Sequence, residues 1–139
     1  MQYARSLAYA IAGVCWIVAD FVTWRTQGLF SNSTLADAVR LIRADEVHVS
    51  HSMVGPIAAL PILGLAVLAL ALWHQRWSAV ARASIAAAGG ILAIVLIERL
   101  GNGGLSAYGF GAWLAVGGVA AAIVGLITDG IATARRGSR

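Results

Sequence analysis

Asp20 is the residue whose place in this chain most invites chemistry. It stands about one turn inside the end of an apolar run, Ser6 to Trp24, where an unpaired carboxylate in hydrocarbon would cost on the order of 2.5 kcal/mol or more. It therefore needs a proton or a partner. Trp16, Asp20 and Trp24 recur every four residues, so on a helix they share a face and supply indole donors, with Thr23 close by. Glu98 and Arg99 end another apolar run at a similar depth, and an Asp20 to Arg99 ion pair is the expected arrangement. Such a pair either locks two helices in register or, if Asp20 or Glu98 takes up protons or a cation, lines a transport path.

A second polar constellation is Asp45-Glu46-Val47-His48-Val49-Ser50-His51. Two imidazoles three residues apart share a helix face and, with Glu46, could hold Zn²⁺ or Cu²⁺. So short a pattern reads first as a polar collar at a helix entry, and no metal is assigned to it. His74 falls at the opposite end and cannot complete the site. Asn32-Ser33-Thr34 matches a glycosylation acceptor, but the Arg-only, Ala-rich and Gly-rich composition has a bacterial character. The lone Cys15 excludes an internal disulfide and fits a small packing position. Neither a Gly-rich phosphate loop after a strand nor a Ser-His-Asp spacing is present, and no intramembrane histidine offers itself to haem. The expectation is a non-enzyme without a cofactor.

The elements that must position these residues are apolar and long. Four stretches, Ser6 to Trp24, Met53 to Trp73, Ala79 to Ile97 and Phe110 to Ile127, approach the roughly 20 residues that carry an α-helix across a hydrocarbon core of about 30 Å. The 139 residues are 60% hydrophobic and 12% charged, which leaves little for a soluble domain. The predicted fold is therefore a single all-α integral membrane domain over 1–139, a four-transmembrane-helix bundle. The first run is too long for a secretory signal and carries Trp16, Asp20 and Trp24 where small cleavage-site residues would stand. It is read as a retained span.

All ten basic residues are arginine, and they lie between the spans in a pattern that sets orientation and does not imply nucleic acid. With the N-terminus in the cytoplasm, Arg5, Arg76 and Arg82 of the second connection, and Arg135, Arg136 and Arg139 of the tail share one side with a single acid, Asp129. Arg25, Arg40, Arg43 and Arg99 fall on the other side among Asp37, Asp45, Glu46 and Glu98. Both termini are accordingly placed in the cytoplasm, and the membrane is read as a bacterial cytoplasmic one. Trp24, Trp73, Trp77, Tyr108 and Trp113 sit near span ends as interfacial anchors. Pro56 and Pro61 are expected to bend or loosen the outer half of the second span.

Small residues suggest how the spans meet. Gly117, Ala121 and Gly125 repeat at four-residue spacing, as do Ala86 and Gly90, with Gly89 and Gly118 widening those faces. Smooth faces let backbones approach in lipid, where apolar burial contributes little. The last two spans should form an antiparallel hairpin, with a turn at Gly101, Gly103 and Gly104. In the loop 25–52, Thr34-Leu35-Ala36-Asp37 has capping-box spacing. A short amphipathic helix should follow, with Leu35, Ala38, Val39 and Ile42 on one face and Asp37, Arg40 and Arg43 on the other.

Val22-Thr23-Trp24 through Thr34-Leu35-Ala36-Asp37-Ala38-Val39-Arg40 resembles small four-span membrane proteins of actinobacterial type, a likeness that covers the first span and its loop and implies no activity. Trp24 followed by Gly28-Leu29-Phe30 is distantly similar in layout to the claudin and peripheral-myelin-protein group. That group carries a cysteine pair in its first loop and this chain has none, so a β-sheeted outer domain is not implied. Small multidrug transporters also have four helices with an acid in the first, but theirs is a central Glu, and the site is not carried over to Asp20. The expected role is an accessory or scaffold subunit that binds lipid and other membrane helices or copies of itself. The alternative is an oligomeric transporter or channel with a polar pathway through Asp20, Glu98 and Arg99.

Overall fold

The computed structural model describes residues 2–26, 33–44, 54–72, 77–100 and 108–137, with side chains over 6–26, 33–44, 54–72, 80–99 and 108–134. The described residues form helices α1 (Gln2–Phe21), α2 (Leu35–Arg43), α3 (Val54–Leu72), α4 (Trp77–Leu100) and α5 (Phe110–Gly137). His48, His51, Glu46, His74, Asn32, Trp73, Arg76 and the expected turn at Gly101 to Gly104 lie outside them.

Three apolar stretches, Val54–Leu72, Val80–Arg99 and Phe110–Ala134, are long enough to cross a membrane, as suits a membrane protein. Within α1 the described apolar stretch is Ser6–Phe21. The expected first span reached Trp24, but α1 stops at Phe21 because the next residues pair with another part of the chain. Gly109 N–H donates to Trp24 O at 2.7 Å and Gly111 N–H to Thr23 O at 2.9 Å, and Arg25 bridges Tyr108 in antiparallel fashion. The segment that follows α1 is therefore extended along the entry to α5. A side chain at Gly109 would meet the Thr23 carbonyl, so the approach depends on glycine there.

The other boundaries also move. α4 begins at Trp77 and takes in Arg82, which the sequence reading placed in a connection. α5 continues past Asp129 to Gly137. Pro56 occupies the first turn of α3, where its missing N–H has no intrahelical acceptor to lose, whereas Pro61 lies in the helix interior.

α1 packs chiefly against α3 and α5, and α4 packs against the same two helices while meeting α1 only lightly. The core runs between them. The Trp16 ring is fully buried and fills the space left by Gly89 of α4 and Gly118 of α5, where a Cβ would strike the indole. Gly125 is similarly filled by the Tyr9 ring, 2.8 Å from the position a Cβ would take. α1 and α3 cross backbone to backbone: a Cβ at Gly13 would lie 2.6 Å from the Gly64 carbonyl, and one at Gly64 would lie 2.9 Å from the Gly13 carbonyl. The hairpin partners α4 and α5 do touch, but α5 makes its larger contact with α1. Two large aromatics on α1 account for this, because they need the glycine hollows of α5 to be accommodated.

α2 rests on α3 and α1 and buries Leu35, Ala38 and Ile42. Its start has both arms of the capping box: Asp37 N–H donates to Thr34 Oγ1 at 3.1 Å, and Thr34 N–H donates to Asp37 Oδ2 at 3.3 Å. The Thr34 hydroxyl donates to the same carboxylate oxygen at 2.8 Å. These bonds hold the Asp37 carboxyl below the usual aspartate range, with the Thr34 hydroxyl the main cause and the charge of Arg40 a lesser one.

Candidate functional site

Polar side chains gather at two levels of the helix assembly. The first joins all four long helices. From α1, the Tyr9 hydroxyl donates to Asp129 Oδ2 on α5 at 3.0 Å. From α4, the Arg82 guanidinium lies over the Tyr9 ring, 5.7 Å from its centroid, and its Nη1 donates to Leu70 O near the end of α3 at 3.3 Å. Arg82 is 8% exposed and Tyr9 fully buried. A cation over an aromatic face in a dry setting is worth about 2 kcal/mol, and a phenol that donates to a carboxylate makes a charge-assisted bond. The chemistry of this cluster is cohesive: phenol meets carboxylate, guanidinium meets ring and carbonyl, and the contacts tie α1, α3, α4 and α5 together at one depth.

The second level is at the opposite ends. Trp24 is 4% exposed, and its indole Nε1 donates to Ala19 O in the last turn of α1. The Tyr108 hydroxyl donates to Ile97 O of α4 at 3.4 Å. Trp24 is thus a core residue where an interfacial anchor was expected. Because α1 has already ended, it does not continue the Trp16 and Asp20 face. Trp113 is 53% exposed and sits on the outer surface of α5.

Asp20 is 8% exposed, whereas Glu98 and Arg99 end α4 exposed. Among the described residues no ion pair joins Asp20 to Arg99. The helix arrangement explains it: α4 sits across from α1 and touches it only lightly, so two residues at similar depth are not neighbours. Of the small residues singled out for packing, Ala86 is buried in the core and Gly125 receives Tyr9. Ala121 is half-buried, and Gly117 is exposed with open space beyond it. A Cβ at Gly90 would also meet open space. The face of α5 that does the packing is one residue over, through Gly111, Ala115, Gly118, Ala122 and Gly125.

The sequence reading missed the Tyr9, Arg82 and Asp129 cluster. A signal was present: the residues around Arg82, from Trp77 to Ala88, are rich in alanine and hold no glycine or proline, so a helix can run through the arginine. Among the described residues no three His, Cys, Asp or Glu side chains group as metal ligands; His48, His51 and Glu46 lie outside them. Compared with protein-family models, with curated proteins and with solved structures, the chain matches none.

Proposed function

We propose that this chain is a four-span helical bundle of a bacterial cytoplasmic membrane, with both termini cytoplasmic, and that it acts as a non-enzymatic accessory or scaffold subunit. Its work is to present rigid apolar faces to lipid and to other membrane helices or copies of itself. α1 contributes one span, with the segment after it folded against the start of α5, and α2 lies on the outer side as an amphipathic cap.

The observation that carries this reading is the position of Trp16. Its ring occupies the middle of the helix assembly between Gly89 and Gly118, where a conduit through one copy would have to run. Close packing of that kind favours a fixed shape over a passage. Outward, α1 exposes Leu7, Ile11, Val14, Val18 and Phe21, an apolar stripe suited to lipid or to a neighbouring helix.

The test is purification of the full chain in mild detergent, with the native mass of the particle and the identity of co-purifying proteins measured together. A defined multimer or a stoichiometric membrane partner is the expected result. A lone chain that carries protons or cations into vesicles, and loses that flux in Asp20→Asn while keeping its assembly, would instead establish the transport reading through Asp20, Glu98 and Arg99.

A further inference from the structure

Asp20 is buried inside the bundle, and the register of the helices shows at what level. Gly13 lies against Gly64 and Leu68 of α3, and Gly64 lies against Ile17, the order of antiparallel helices. Asp20, about two turns beyond Gly13, therefore stands near the level of Ile57. Along α5 it falls between Gly118, which meets Trp16, and Gly111, which meets the segment after α1. Ile57, Ala112 and Ala115 are buried there in the same apolar core as Trp16.

Among the described residues neither a cation nor a hydrogen-bond donor meets the Asp20 carboxyl. Trp16, one turn below on the same face, buries its N–H without an acceptor. The Trp24 indole donates to Ala19 O and the Tyr108 hydroxyl to Ile97 O, and the Nε of Arg25 is buried without an acceptor as well. The packed elements bring no other charge to this level. α3 holds no titratable residue over Val54–Leu72, α4 none between Arg82 and Glu98, and α5 none between Phe110 and Thr128. Glu98 and Arg99 end α4 exposed, and Arg40 and Arg43 of α2 are exposed. The Asp37 carboxylate is engaged by the Thr34 cap. On α1 itself the nearby titratable group is the half-buried Cys15 thiol.

An ionised carboxylate enclosed with neither cation nor donor is among the costliest groups a core can hold, and such a group escapes the cost by taking a proton. The acid form has no net charge and carries its own O–H donor. We infer that Asp20 is a proton-binding site of the folded bundle: at neutral pH each chain holds one proton there, taken from water as the helices close, so that the carboxylate becomes the carboxylic acid. The inference rests on burial within the protein and is independent of the scaffold role and of the membrane location.

The experiment is infrared spectroscopy of the full chain at pH 7 in a mild detergent that has no carbonyl group, read at the C=O stretch of carboxylic acids. The expected occupancy is close to one acid group per chain, against about one in a thousand for an aspartate in water. The band should vanish in Asp20→Asn and survive in Glu98→Gln, which alters an exposed acid. A spectrum without the band at pH 7, or a band that Asp20→Asn leaves in place, would overturn the site. If Asp20→Asn does not fold, Asp20→Glu keeps the acid in altered surroundings: a displaced band supports the site and an unmoved band overturns it. Native mass and co-purifying proteins decide the scaffold role separately, so the two failures are distinguishable.

Discussion

At the scale of single residues, Gly117 and Gly118 are the sharpest comparison the molecule offers. They are neighbours of the same type, yet Gly118 sits against the Trp16 indole, with Nε1 only 2.5 Å from the place of a Cβ, and Gly117 faces open space. A methyl group at Gly118 forces the indole or the α1–α5 separation to change, which costs about 1–3 kcal/mol. The same methyl at Gly117 meets nothing and gains up to about 1 kcal/mol of helix propensity. Gly118→Ala should therefore lower the thermal midpoint in detergent, while Gly117→Ala leaves it unchanged or raises it. Equal effects would mean that Trp16 does not occupy the hollow. This distinction was beyond sequence reading, since a four-residue repeat through Gly117, Ala121 and Gly125 looks as regular as the true face through Gly111, Ala115, Gly118, Ala122 and Gly125. The choice between them is made by two aromatic rings on another helix, and nothing local to α5 records where those rings arrive. The buried Trp16 N–H has no acceptor among the described residues.

At the scale of elements, α2 shows what local chemistry does record. Thr34 and Asp37 are three residues apart, their reciprocal bonds need no distant partner, and the helix starts where the capping box puts it. Thr34→Ala should lower hydrogen-exchange protection over residues 35–43 by roughly fivefold, the usual cost of a lost cap. The same box makes α2 sensitive to acid. Because the folded Asp37 carboxyl titrates below its ordinary value of 3.8, its contribution is fully present above that value and is lost as pH falls through the depressed one. Protection of 35–43 should thus hold from neutral pH to about the ordinary value and decline only in stronger acid, a decline that Asp37→Asn removes. Loss of protection already between pH 7 and pH 5 would contradict the cap. The long helices were legible for a different reason, since hydropathy marks apolar length wherever it lies. Their ends were less so. Arg82 breaks a hydropathy window without breaking a helix, and the end of α1 at Phe21 is set by hydrogen bonds from Gly109 and Gly111, far along the chain.

At the scale of the whole molecule, two sets of contacts fix how the chain is threaded. Tyr9 meets Asp129 at one end, and Thr23 and Trp24 meet Gly111 and Gly109 at the other. α1 and α5 are therefore antiparallel, with Gln2 and Gly137 together at the arginine-rich end. The ion pair expected between Asp20 and Arg99 was an attempt to deduce threading from depth alone. Depth does not say which helices are neighbours, whereas the polar cluster around Tyr9 links α1, α3, α4 and α5 at a common level. In the proposed orientation, set by the charge bias, the Gln2 and Gly137 end faces the cytoplasm. The lone cysteine makes the test direct. In a Cys15→Ser background, Gln2→Cys and Gly137→Cys should resist a membrane-impermeant maleimide in intact cells and react once the membrane is opened. Ala44→Cys, at the exposed end of α2, should react in intact cells. Labelling of Gln2→Cys and Gly137→Cys from opposite sides would require an odd number of crossings, and the antiparallel register of α1 and α5 could not then survive.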